Sequence, residues 1–205
     1  IVTAITLTTL TIIAVMYVDD TDLMVSATSH HEPITNLLRR TQHSIKIWRK
    51  AVIQTGEALR PEKCKWYLVR FKWKQGKWQY ETISDTPAKM YLKNTDRETM
   101  EIERLEVNTG LVGLGVNVAP DGSQDGQVNE FLDETPGNEG KLIVWINNIK
   151  TKFLRRHDVY ISAKQSIFKS IEYVLPATSM SSSQCYSIDK KLHRTFLPKI
   201  GVARN

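Results

Sequence analysis

The chain has 205 residues, 41% hydrophobic and 24% charged, a balance that excludes a disordered or collagen-like chain and suits one sizeable domain or one and a half small ones. Two cysteines, Cys64 and Cys185, do not make a disulfide framework, which points to a reducing, intracellular setting in the nucleus or cytoplasm. The net charge of +6 hides a block pattern: residues 1–38 have four acids and no Lys or Arg, 39–79 carry +10, 80–140 carry −9 and 141–205 carry +9. Two basic blocks flanking an acidic one suggest two surfaces facing a polyanion, with the acidic segment turned away.

The chain begins at Ile1 rather than Met, as an internal piece of a longer product would. Residues 1–18 carry no charge, a length that would pass for a membrane helix. Thr3, Thr6, Thr8, Thr9 and Thr11 dilute it and no basic flank precedes it, so neither a membrane span nor a signal peptide is expected. The run reads better as a buried central strand from Ala4 or Thr11 to Val18. Asp19 and Asp20 follow, and Leu23 to Ala27 reads as the return strand. The pair would then sit at a hairpin tip. Two aspartates repel there and gain little as turn formers, since tight hairpins favour Asn-Gly or Asp-Gly. A hard divalent cation, Mg²⁺ or Mn²⁺, relieves that repulsion. Asp22, two residues on, falls on the same side of a return strand as Asp20.

Ser29-His30-His31-Glu32 has the spacing of a capping box, and Pro33 suits a first helical turn. Ile34, Leu37, Leu38, Ile45, Trp48 and Val52 recur at helical spacing, with Gly56 as the stop. The histidines are read as helix-start residues rather than metal ligands, because Mg²⁺ prefers oxygen. Strand-like residues run through Val69, Phe71 and Trp73, Gln75-Gly76 offers a turn, and Trp78, Tyr80 and Ile83 form a second short strand. The interleaved aromatic and basic residues fit base stacking with phosphate neutralisation. They also fit a hairpin with one face buried and lysine stems lying over it, the reading preferred for most of the aromatics.

Residues 84–109 are polar and acidic, and Glu98, Glu101, Glu103 and Glu106 read as a solvated surface. Leu111 to Gly122 reads as a glycine-punctuated strand ending in a Pro-Asp-Gly turn, whose glycines would let a nucleic-acid strand approach closely. Gly113-x-Gly115 is not a dinucleotide fingerprint, since no third glycine follows at the right spacing. A linker is expected at 119–140, and a mostly helical region at 141–205. Its helices are a first one through Leu142 to Leu154, a second over Ser162 to Val174, and a third ending near Leu197-Pro198.

Tyr17-Val18-Asp19-Asp20 resembles the Tyr-x-Asp-Asp box of reverse transcriptases. Leu59-Arg60-Pro61-Glu62-Lys63-Cys64 resembles the lysine-bearing segment that follows it in that family. Gly113-Leu114-Gly115-Val116 with Ala119-Pro120-Asp121-Gly122 resembles the primer-grip strand and turn of retrotransposon-type enzymes. Residues 175–185 and 197–201 are similar to the region after their polymerase core. The resemblance implies an α+β fold: a partial palm over 1–118, an antiparallel sheet with a helix, then the linker and a helical thumb-like region over 141–205.

It further implies an RNA-directed DNA polymerase that adds deoxynucleotides to a primer 3′-hydroxyl on an RNA or DNA template. Asp19 and Asp20 would be catalytic and metal-binding, and Lys63 would protonate the leaving pyrophosphate. Tyr17, Leu114 and Gly115 would touch nucleic acid, and Arg155 and Arg156, taken from the second basic block, are expected to contact its phosphates. The family also needs an aspartate on an earlier palm strand, fingers and a nucleotide-selecting segment, which these residues do not supply. The expectation is therefore a C-terminal palm and thumb fragment, inactive alone. The alternatives are a non-catalytic nucleic-acid-binding remnant of a retroelement and an interaction fragment without activity.

Overall fold

The computed structural model describes residues 2–7, 10–17, 20–29, 31–94 and 98–202, with side chains from Thr21 onward. It is a mixed α+β chain that divides into two units, Ile1–Glu106 and Val107–Asn205.

The first unit opens with three antiparallel strands, β1 (Val2–Leu7), β2 (Leu10–Tyr17) and β3 (Asp20–Met24), in the order β1-β2-β3. Of the two starts read for the central strand, Thr11 matches β2 to within a residue, and the Ala4 start does not, because Val2–Leu7 is a separate strand paired from Val2↔Val15 to Leu7↔Leu10. An uncharged run without Gly, Pro or Asn gives no sign of where it reverses, so the sequence left both starts open. β2 then pairs with β3 from Ile13↔Met24 to Tyr17↔Asp20. The return strand therefore starts three residues earlier than the sequence suggested.

Helix α1 (Ile34–Gln54) follows the expected stripe, with Ser44, Trp48 and Val52 buried. Trp48 and Val52 pack with Leu23 and Leu59. The expected capping box does not form, since no side chain caps the helix at Pro33. The Glu32 carboxylate instead accepts from the Thr28 N–H at 2.7 Å and from Arg40 Nη1 at 2.8 Å. Arg40 Nη2 also donates to the Ser26 carbonyl at 3.1 Å, so one guanidinium ties the loop after β3 to the helix.

A short 3-10 turn (Pro61–Lys63) leads into β4 (Lys65–Trp66). β4 pairs in parallel with β8 (Thr99–Arg104), which pairs antiparallel with β7 (Met90–Lys93). Residues 84–109, read only as polar and acidic, hold two strands whose Met90, Leu92 and Ile102 form a core with Leu38, Ile45, Leu59, Cys64 and Trp66, while Glu98, Glu101 and Glu103 are exposed as expected and Glu106 is half-buried. Edge strand β7 is sealed by α1. The Gln42 amide donates to the Tyr91 carbonyl at 2.8 Å and accepts from the Tyr91 N–H at 2.9 Å, and Arg49 Nε donates to the Lys93 carbonyl at 3.0 Å. Side-chain amides thus stand in for a missing strand, one way to blunt an exposed edge. Between β4 and β7 lies a separate hairpin, β5 (Phe71–Lys74) with β6 (Lys77–Tyr80).

The second unit starts with the hairpin β9 (Leu111–Gly113) and β10 (Val116–Val118), where a single strand was expected. Its helices are α2 (Asp125–Leu132), α3 (Lys141–Thr151), α4 (Arg156–Ser162), α5 (Phe168–Val174) and α6 (Ser182–Ile200), with one π-helical turn (Ala163–Ile167) joining α4 to α5. Segment 119–140, read as a linker, holds α2 instead. Its Phe131 is fully buried and belongs to one core with Leu142, Ile146, Val159, Ile188, Leu192 and Phe196. The Gln127 carbonyl oxygen accepts from the buried Asn117 N–H at 2.7 Å. Trp145 donates its indole N–H to Ser162 Oγ at 2.8 Å, which satisfies the polar edge of a buried ring. Helix α6 starts in a Ser181–Gln184 capping box and ends at Gly201, whose φ of +87° allows the Val202 N–H to reach the Leu197 carbonyl at 2.9 Å.

Candidate functional site

The candidate residues fall in both units, and each group is described within its own. In the first unit, Tyr17 and Asp20 are the last register pair of the β2–β3 hairpin, so Asp20 stands on β3 and not at the tip where the sequence placed it. Val18 and Asp19 lie outside the described residues, as do the side chains of Tyr17 and Asp20. Asp22 is exposed on β3, and its charge acts on Tyr67. Burial first, then Asp22, holds the Tyr67 phenol above its ordinary pKa. Tyr67 was not singled out in the sequence, because a lone tyrosine in an aromatic-rich stretch carries no spacing signal.

Lys63 ends the 3-10 turn and is exposed, with no ion pair among the described residues. The neighbouring Cys64 thiol donates to the Arg60 carbonyl at 3.2 Å, and burial pushes its pKa up. Among the described residues no group of three or more His, Cys, Asp or Glu is placed to hold a metal ion.

The charge blocks are not kept apart. Carboxylates of the acidic block pair with cations of the first basic block: Lys65 with Glu103, Arg70 with Glu81 and Lys72 with Asp85. The acidic segment is therefore not turned away as its charge suggested, because strand pairing brings β8 beside β4. Lys72, first, and the Thr82 backbone hold the Asp85 carboxyl well below the usual carboxylate range. Lys46, Lys50, Lys63, Lys74 and Lys77 keep no ion-pair partner among the described residues.

The β5–β6 hairpin departs furthest from expectation. Its four aromatics occupy one face, as strand alternation requires, with Phe71 opposite Tyr80 and Trp73 opposite Trp78. That face is not buried: Phe71 is 52% exposed, Trp73 61% and Trp78 67%. The preferred burial reading fails for Phe71, Trp73 and Trp78, while Tyr80 at the hairpin base is half-buried.

In the second unit, Leu114 and Gly115 form the β9–β10 turn, both with positive φ, +53° and +81°. A leucine in this region costs roughly 1–2 kcal/mol. Tyr173 anchors the turn, its hydroxyl donating to the Leu114 carbonyl at 2.8 Å. The Leu114 side chain is 51% exposed. A Cβ on Gly113 would meet nothing within 4 Å, so no protein group needs that glycine's close approach. Arg155 and Arg156 are exposed at the start of α4, where the Asp158 carboxylate accepts from the Arg155 N–H at 3.3 Å. The Arg156 guanidinium lies over Gly201, where a Cβ would meet it at 2.9 Å. A cation at the C-terminal end of α6 also suits the helix dipole. Arg156 therefore has a structural position as well as an exposed charge.

No helix among the described residues is long and apolar enough to cross a membrane. Comparison with known proteins gave no match to a family model, a curated protein or a solved structure.

Proposed function

We propose that the chain is a C-terminal palm and thumb segment of a retrotransposon-type reverse transcriptase, an RNA-directed DNA polymerase. Asp19 and Asp20 are its ligands for Mg²⁺ or Mn²⁺. The observation that supports this reading is the register of β2 and β3: the antiparallel pair closes at Tyr17 and Asp20, the outer residues of the Tyr-x-Asp-Asp box. An α-helix and a lysine-bearing turn follow it in the first unit, in the order the resemblance implies.

In this reading Asp19 is the principal metal ligand and Asp20 assists. The bound ion would supply a lowered pKa for the primer 3′-hydroxyl and charge neutralisation at the phosphoryl oxygens. Lys63, exposed and without an ion pair among the described residues, donates a proton to the departing pyrophosphate. Tyr17, Leu114, Gly115, Arg155 and Arg156 contact the template–primer, and deoxynucleoside triphosphates are the second substrate. A non-catalytic nucleic-acid-binding remnant is the second reading, favoured by the exposed aromatic and lysine-bearing hairpin.

In-line displacement needs two clamped metals, and two carboxylates on one hairpin do not clamp both. Misplacing a reacting group by about 1 Å can cost on the order of a hundredfold. Primer extension by the chain alone, with Mg²⁺, template and deoxynucleotides, is therefore expected to equal the background of an Asp19→Ala control. Extension that disappears in that control would show that another carboxylate of this chain completes the site. Extension restored by adding a fingers and palm segment, and abolished by Asp19→Ala, is the result the proposal expects. Failure of every such combination, with wild type and Asp19→Ala alike, favours the remnant.

A further inference from the structure

We infer that the β5–β6 hairpin is a stacking site for an unpaired nucleic-acid strand. Two features of this hairpin break local rules at once. Four aromatics share a face on which Phe71, Trp73 and Trp78 are more than half exposed and Tyr80 is half-buried. On the other face, Lys74 stands directly opposite Lys77 in register, both exposed and without ion-pair partners among the described residues. Like charges directly opposite on paired strands are destabilising. A sequence that keeps both faults at one hairpin points to a partner that relieves both. That partner needs flat apolar faces and negative charge.

An unpaired strand of nucleic acid has both, and every base presents a π-face. Trp73 and Trp78 meet edge to face, with ring centres 5.1 Å apart and planes at 73°. Neither indole stacks flat on the other, which leaves an indole face open to a base. Phe71 and Tyr80, 4.6 Å apart and tilted by 34°, extend the same face toward the hairpin base. Four residues per strand span about 13 Å at 3.3 Å each, room for two or three bases. The Lys74 and Lys77 stems reach past the edges of so narrow a ribbon, bringing their ammonium groups to the phosphates.

A protein partner fits less well, since a stable interface needs on the order of 1,000 Å² and this face is a few side chains. A duplex fits less well too, because its bases already stack on each other. The hairpin is also held in place for such a role. Arg70 pairs with Glu81 at 3.4 Å, the Glu81 N–H donates to the Arg70 carbonyl at 2.8 Å, and Lys72 pairs with Asp85, so its base is anchored while its aromatic end is free.

The test uses the whole chain in EDTA, so that it stands or falls separately from the metal reading. Binding of a fluorescent oligothymidine and of a duplex of equal length is followed by anisotropy in wild type, Trp73→Ala/Trp78→Ala and Trp73→Phe/Trp78→Phe. Base–aromatic stacking sets the scale at about tenfold per ring, so the alanine pair should lose roughly a hundredfold for the single strand and little for the duplex. The phenylalanine pair, which keeps π-faces, should lose much less. Circular dichroism checks that the variants are folded. If the alanine pair is unfolded, the phenylalanine pair decides: a retained single-strand preference supports the site, and a lost one overturns it. Unchanged single-strand affinity in a folded alanine pair overturns it. So does an equal loss for strand and duplex. A dimer that dissociates in the alanine pair, with oligonucleotide affinity unaltered, would make a second copy of the chain the occupant and would also overturn it.

Discussion

Gly76 and Gln75 set the turn of the β5–β6 hairpin, and substitutions at the two positions should have opposite signs. Gly76 has φ +74° and a Cβ there would meet nothing within 4 Å, so Gly76→Ala changes backbone preference and little else. Holding alanine in the left-handed region costs roughly 1–2 kcal/mol. The stiffer unfolded chain returns about 0.4–1 kcal/mol of that. The net is about 1 kcal/mol, or roughly a fivefold fall in the closed-to-open ratio of the hairpin. A two-stranded pair is marginal by itself, so little spare stability absorbs the change. Gln75 has φ +53°, where asparagine is better tolerated, and Gln75→Asn should close the hairpin more tightly. Hydrogen exchange of residues 70–81 reads this directly. Exchange should quicken about fivefold in Gly76→Ala and slow in Gln75→Asn, with residues 90–104 unaffected. Equal exchange in all three proteins would refute the reasoning, because it would mean that the turn does not govern the hairpin.

The second unit offers a purely steric test. Gly140 has φ −64° and ψ 152°, ordinary for any residue, but a Cβ there would lie 2.4 Å from the Phe131 carbonyl carbon and 2.7 Å from Leu132 N. Both are backbone atoms, so Gly140→Ala should cost about 1–3 kcal/mol, seen as a lower urea midpoint at constant slope; an unchanged midpoint would contradict the packing of α2 on α3. A third prediction concerns acid. The Thr28 N–H, first, and Arg40 hold the Glu32 carboxyl below its ordinary pKa. Its contribution is full above the unfolded glutamate range and is lost as pH falls through the lower folded value. The Thr28 amide resonance should therefore titrate below the ordinary glutamate midpoint of about 4.3 and show no such step in Glu32→Gln. A midpoint at or above the ordinary value would dismiss the loop clamp.

What the sequence revealed depended on how strong each local signal was. Helix α1 was legible because its apolar residues keep helical spacing over twenty-one residues, and the Gln75-Gly76 turn because its residue types suit it. The start of β2 was legible only as one of two choices, Ala4 or Thr11, and the earlier strand Val2–Leu7 was hidden in an uncharged run with no Gly, Pro or Asn to mark a turn. Strands β7 and β8 were hidden because Met90, Leu92 and Ile102 are few among charges, and only their shared core with α1 and β4 gives them meaning. Alternation placed Phe71, Trp73, Trp78 and Tyr80 on one face correctly. Whether anything covers that face is a tertiary fact with no local trace, and the preferred reading assumed a cover. In the candidate site, the strand pattern gave an antiparallel hairpin around the aspartates but not its register, since Asp20 pairs with Tyr17 instead of standing at the tip. The anchoring of Leu114 by Tyr173, fifty-nine residues away, was not legible either.

The central claim is that Asp19 and Asp20 hold a divalent cation at the end of the β2–β3 hairpin. Mn²⁺ titration with paramagnetic broadening of backbone amide resonances tests it most directly, because the effect falls off steeply with distance from the ion. Broadening should centre on residues 17–20 and spread to the described neighbours Thr21 and Met16, which pair across the hairpin. It should vanish in an Asp19→Asn, Asp20→Asn double variant, while any broadening near the acidic residues of β8 stays the same. Equal broadening of the hairpin in wild type and double variant would contradict the account.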